Sequence, residues 1–167
     1  MDELEKGLAV ALRGAEAEVA AREARRQAAA WGLALPDVEP LALDFGLGDF
    51  PRTGEVEFWI ANETEAGYCG KLLFVREGQT CPSHRHGRKH ETFFIVRGRV
   101  RMIHGGVERE MAAGDVLAVP PGRLHRFTGL EPALLLEVSM PGIVADNWFE
   151  DDRIPIGGHY RGRDARS

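Results

Sequence analysis

Two periods of apolar residues divide the chain. Leu4, Leu8, Leu12, Ala15 and Val19 recur at helical spacing, while Glu3, Lys6 and Arg13 take the opposite face. The stripe fades where Arg22 and Arg26 fall on it, and Gly32 and Pro36 supply a stop. This predicts one helix from about Leu4 to Trp31, covering a sheet or a partner's surface and taking no direct part in chemistry. Past Pro40 the texture changes to short β-prone runs between turn residues. Glu55–Asn62, Tyr68–Gly78, Glu91–Gly98 and Arg99–Met111 read as strands, the last a hairpin turning at Gly105-Gly106. "GDVLAVPPG" and "PALLLEVSMP" complete the series. Many short strands with no helix between them predict an all-β antiparallel sandwich or barrel behind the N-terminal α-helix. From Asp146 the chain turns polar and glycine-rich, which predicts a surface-crossing tail. The expected organisation is a helical segment 1–40, a barrel 41–145 and a tail 146–167.

Composition narrows the classes. A chain of 167 residues forms one domain with a sizeable core. A net charge of −5 and the lack of a basic run argue against nucleic-acid or membrane partners. Arg161, Arg163 and Arg166 read as a solvated tail. No window approaches the roughly 20 apolar residues of a membrane helix, and "MDELEKG" carries acid where a secretory signal carries base. The expected location is the cytoplasm, with Cys69 and Cys81 as free thiols.

The chemistry concentrates in "SHRHGRKHE". His84 and His86 leave the same face of an extended strand and can clamp one divalent cation. Glu91 has the wrong parity for that strand, but "GRKH" is turn-prone and can bring it round on a neighbouring strand to face the clamp. His125, after the Pro120-Pro121-Gly122 corner, is the candidate fourth ligand. Three imidazoles with one carboxylate suit manganese, iron, zinc, cobalt or nickel rather than calcium or magnesium. Four protein ligands leave corners open in a five- or six-coordinate ion. His90 is a minor rival ligand; His104 and His159 have no assigned role. Arg97 and Arg99 read as a solvated face.

This ordered pattern resembles the cupin superfamily. Gly78, His84, His86, Glu91 and Gly98 keep every spacing of its first motif; Gly114, Pro120, Gly122 and His125 keep those of its second, with Gly129 where asparagine is usual. The resemblance implies a double-stranded β-helix, or jelly roll, and a bound metal. More narrowly, "YCGKLLFVREGQTCPSHRHGRKHETF", with "LEVSMP", "DNWF" and "DDRIP", is similar to the D-lyxose isomerase family of cupins. That likeness implies an aldose–ketose isomerase, interconverting D-lyxose with D-xylulose or D-mannose with D-fructose through a metal-chelated enediolate. It also implies a divalent transition metal, manganese first, and a homodimer. The superfamily leaves a dioxygenase or a non-catalytic sugar-binding module as alternatives.

Isomerisation needs a general base and a group serving the oxygens. Lys89 matches the family's lysine beside the ligands, and a neighbouring dication would lower its pKa. Glu137 alternates with Leu134, Leu136 and Val138 on the strand "ALLLEVSM", which puts it inside the barrel if those three face out. Tyr68, Trp148 and Phe149 could form a stacking wall for a sugar.

Overall fold

The structure, a computed structural model, describes residues 3–159, apart from the side chains of Leu4 and His159. Arg161, Arg163 and Arg166 lie outside them. Two six-stranded sheets face each other. One has the order β1 (Leu41–Leu43), β2 (Glu55–Glu63), β3 (Tyr68–Val75), β10 (Ala133–Ser139), β5 (Glu91–Arg97) and β8 (Val116–Val119). The other has β12 (Gly158–His159), β11 (Asn147–Phe149), β4 (Thr80–His86), β9 (His125–Gly129), β6 (Arg99–His104) and β7 (Val107–Ala112). Every pairing between two of these strands is antiparallel except β11 with β12. Gly105 and Gly106 both adopt positive φ, so the β6–β7 hairpin closes through a turn open to glycine. At Gly129, a Cβ would lie 2.1 Å from the Arg76 carbonyl oxygen, which accounts for glycine at the end of β9.

The alternation of each strand fills the space between the sheets. Leu73, Phe93, Ile95, Val100, Met102, Phe127, Ala133 and Leu135 are buried there together. A second cluster lies outside the first sheet. Ala20, Ala24 and Ala28 of α2 (Gly14–Ala30) pack on Val56, Phe58, Phe74 and Leu134. Alanine at every fourth position lets the helix backbone approach the sheet closely.

The single N-terminal helix is not what forms. α1 (Glu3–Gly7) and one 3₁₀ turn at Leu8–Val10 precede a break, and α2 starts only at Gly14, which has φ +57°. In the break, the Leu12 N–H donates to Ala42 O at 2.8 Å and the Asp44 N–H to Val10 O at 3.2 Å. Pairing with the β1 edge outweighs helix propensity there. The predicted stripe fails with it: Leu8 and Val19 are exposed, and the buried face is alanine.

The tail also differs from its expectation. Asn147–Phe149 pairs with β4, and Phe149 and Ile154 are buried in the barrel core. Apolar residues spaced through a polar segment are enough to dock it across the open end of the barrel.

Candidate active site

His84 and His86 project from β4 into the barrel, and His125 projects beside them because β9 pairs with β4 in the register His84↔His125. Glu91 arrives differently from expectation. The Gly87–His90 turn carries the chain from one sheet to the other, so β5 is not a neighbour of β4 and Glu91 faces the histidines across the barrel interior. The four donor atoms lie within 4.8 Å of one another. Glu91 Oε1 is 2.7 Å from His125 Nε2 and 3.3 Å from His86 Nε2. Neither contact has hydrogen-bond geometry, and all three atoms are buried.

The imidazoles are prepared as lone-pair donors. His84 Nδ1 lies 2.8 Å from Pro82 O, and His125 Nδ1 lies 3.0 Å from Arg123 O. A carbonyl can only accept, so each ring carries a proton on Nδ1 and turns its Nε2 inward. Burial, reinforced for His84 by the other two rings, pushes His84 well below and His86 below the ordinary imidazole range. Burial would raise the Glu91 carboxyl, but the Lys89 ammonium leads the neighbours that outweigh it and hold it well below the usual carboxylate range. The neutral imidazole and the ionised carboxylate are the forms that bind a divalent ion.

Lys89 and Glu137 extend this centre. Lys89 Nζ donates to Glu91 Oε2 at 2.8 Å and to Glu137 Oε1 at 2.5 Å. Glu137 faces inward from β10 alongside Ala133 and Leu135, and Ser139 Oγ donates to its Oε1 at 2.9 Å. Burial opposes the ammonium charge of Lys89, yet Glu137 and Glu91 outweigh it and raise its pKa. Among the protein's own groups the two carboxylates set this upward direction; the lowering expected of Lys89 belongs to a bound dication. Burial would also raise Glu137, but Lys71 and Lys89 hold it below the ordinary carboxylate range. Lys89 is a cation and Glu137 an anion.

The segment after β10 fixes the turn that carries Lys89. The Asp146 carboxylate accepts the backbone N–H groups of Arg88 and Lys89, each at 3.0 Å to Oδ2. Phe149, next to β4, packs its ring 5.7 Å from that of His84. The "DNWF" stretch is thus part of the site's scaffold.

A cavity opens beside these groups. Its lining includes His84, His86, Lys89, Glu91 and Glu137, but also Glu55, Glu57, Trp59 and Lys71. Of the aromatic residues expected as a wall, Phe149 lines it, whereas Tyr68 and Trp148 do not and are exposed. His90 is exposed and His104 lies off the cavity. Glu55, Glu57 and Lys71 were legible as charges on strands otherwise built of apolar residues; their inward direction needed the neighbouring strands. Glu3 and Gly7 of α1 also line the cavity, so the N-terminal segment reaches the mouth that a mere cover would not touch.

Residues 71–139 match the Cupin domain family. Over 139 residues the chain is 32% identical to the D-lyxose/D-mannose isomerase of Thermosediminibacter oceani, covering 66% of this chain and 76% of that one. The chain belongs to the D-lyxose/D-mannose isomerase family of cupins. It is therefore an aldose–ketose isomerase by family. A D-lyxose ketol-isomerase of Cohnella laeviribosi is 37% identical over 91 residues, 51% of this chain and 47% of that protein. Among solved structures, L-ribose isomerase from Acinetobacter sp. DL28 in complex with L-ribose superimposes with TM-score 0.72 at 18% identity, over 90% of this chain and 99% of that one. The Cellulomonas parahominis L-ribose isomerase gives 0.73 at 17%, with the same coverage. At those identities the likeness is one of fold.

Proposed function

We propose that this chain interconverts D-lyxose and D-xylulose, and D-mannose and D-fructose, with a divalent transition metal, manganese first, held by His84, His86, Glu91 and His125. The observation that carries the reading is the set of buried, unpartnered donor atoms: His86 Nε2, His125 Nε2 and Glu91 Oε1 have no hydrogen-bond partner and point at one place. Orphaned polar atoms of this kind are costly unless a bound ion takes up their lone pairs. The donor chemistry, three nitrogens and one oxygen, suits a first-row transition ion. When bound, such an ion would polarise the carbonyl and the adjacent hydroxyl of an open-chain sugar.

Glu137 is the group that moves the carbon-bound proton. It is ionised, buried and on the cavity wall, and it takes the proton from one carbon and returns it to the neighbour. The second proton passes between the two oxygens, so the reaction balances with no oxidant or reductant. Lys89 keeps its charge and donates to the oxygen on which negative charge develops, while Glu91 and Glu137 hold its ammonium in place. Asp146 fixes the Lys89 backbone and Phe149 backs His84, which keeps the geometry when the cavity fills.

We also read the enzyme as a cytoplasmic homodimer. Phe94, Val116 and Val138 are exposed on the part of the first sheet's outer face that α2 leaves uncovered, and Cys69 and Cys81 are both free. The test is incubation of the manganese-supplemented protein with D-lyxose or D-mannose in D₂O, followed by NMR. The expected result is D-xylulose or D-fructose carrying solvent deuterium. Absence of ketose from both sugars overturns the reading.

A further inference from the structure

The polar chain does not stop at Glu137. Its Oε2 lies 3.4 Å from Lys71 Nζ on β3, and Lys71 donates in turn to Glu57 Oε1 on β2 at 2.5 Å. Trp59 Nε1 donates to the other oxygen of Glu57 at 2.7 Å, and the Lys71 ammonium sits 5.0 Å from the Trp59 ring centroid. Trp59 is seated against Gly142, where a Cβ would lie 2.8 Å from the indole edge. Asn62 clamps that glycine at both its N–H (2.8 Å) and its carbonyl (3.1 Å). Charges therefore alternate along one wall of the barrel: Glu57, Lys71, Glu137, Lys89, Glu91.

This alternation matters because Lys89 is shared. Glu91 and Glu137 are two buried carboxylates, and Lys89 alone would leave one of them without a full counter-charge. Lys71 supplies the second cation. A lysine stem is flexible by nature, and here Glu57 and the Trp59 face hold its end in one place. We propose that Lys71, fixed by Glu57 and Trp59, is a positioning residue that orients the Glu137 carboxylate toward the sugar. The inference rests on the reading of Glu137 as the proton-transfer group.

The groups facing Glu137 are Lys71 and Cys69 from β3, Lys89 from the turn, Glu91 from β5, Ser139 from its own strand, and Glu57 and Glu55 from β2 beyond Lys71. Loss of Lys71 removes one of two cations and leaves the anions in place. Glu137 then ionises at higher pH, so the acid limb of kcat moves to higher pH.

The test is steady-state kinetics of the manganese-loaded full chain carrying Lys71→Met, Lys71→Arg or Glu57→Gln. Lys71→Met is expected to lower kcat by about 10- to 100-fold, with KM within about threefold and unchanged bound metal. Its acid limb shifts upward, and Lys71→Arg restores the limb. A wild-type kcat and acid limb in Lys71→Met, or a loss confined to KM, overturns the inference. Should Lys71→Met fail to fold, Glu57→Gln decides in its place, with a smaller change of the same sign expected and an unchanged kcat and limb contradicting. If the wild type turns over no aldose, the isomerase reading fails instead. The positioning claim is then judged by a crystal structure of the variant, where a Glu137 carboxylate in its original place overturns it.

Discussion

Glu137→Gln separates the chemistry from the scaffold. The substitution keeps the size of the side chain and removes its charge and its ability to take a proton. A positioned general base contributes about 10²- to 10⁴-fold, so kcat should fall by that factor, or about 2.7–5.4 kcal/mol at 1.36 kcal/mol per decade. The fold should survive, because each lysine keeps a second carboxylate: Lys71 retains Glu57 at 2.5 Å and Lys89 retains Glu91 at 2.8 Å. The loss in stability should therefore be below the roughly 3–5 kcal/mol of stripping a buried ion of its partner. At about 2–4 °C per kcal/mol for a domain of this size, Tm should drop by less than about 20 °C. Glu137 is outside the four-donor cluster, so bound manganese should stay at the wild-type level. Ketose formation from D-lyxose, a thermal melt and metal analysis on one preparation give all three quantities. A kcat within about threefold of wild type would refute the assignment of Glu137. Loss of metal along with activity would refute the separation between the two halves of the site.

Asp146→Ala should release the backbone of Arg88 and Lys89, lowering kcat by about 10-fold through misplacement of Lys89; an unchanged kcat would show that the turn holds itself. Metal-free protein should lose stability as pH falls below about 6.5, the ordinary imidazole value. His84 and His86 have depressed folded pKa values, so the unfolded chain binds more protons in that window. Glu55, raised well above the carboxylate range by burial and by Glu57, works in the opposite direction as one group against two. A Tm that holds or rises between pH 7.5 and 5.5 would contradict the buried neutral imidazoles. Ala24→Leu should overpack the helix–sheet contact and cost about 1–3 kcal/mol, with activity per folded molecule unchanged; a stable variant would show that α2 can move off the sheet.

The sequence was most informative where residue type and spacing both carry chemistry. His84, His86, Glu91 and His125 were nameable because the jelly-roll register is set by glycines and prolines at fixed offsets, and these four do gather in the barrel. The route by which Glu91 reaches them was not legible, since a turn within a sheet and a crossing between sheets can use the same residues. The helix break at Ala11–Arg13 escaped because it depends on hydrogen bonds to a strand about 30 residues on, which helical spacing cannot report. The buried stripe of α2 escaped for a related reason. Alanine is neutral in hydrophobic patterning, and only its packing on Val56, Phe58 and Phe74 shows which face of the helix is buried. Glu55, Glu57 and Lys71 looked like ordinary strand charges; their partners lie on other strands, and burial of a charge is visible only when the partner is.

The most direct measurement is a manganese titration of metal-stripped protein, with bound ion and D-xylulose formation from D-lyxose followed in the same samples. The account predicts one tightly held ion per chain and a rate of isomerisation that rises in proportion to it. His125→Ala should abolish both. A chain that binds no ion at saturating manganese, or one that makes xylulose equally well after stripping, would contradict it.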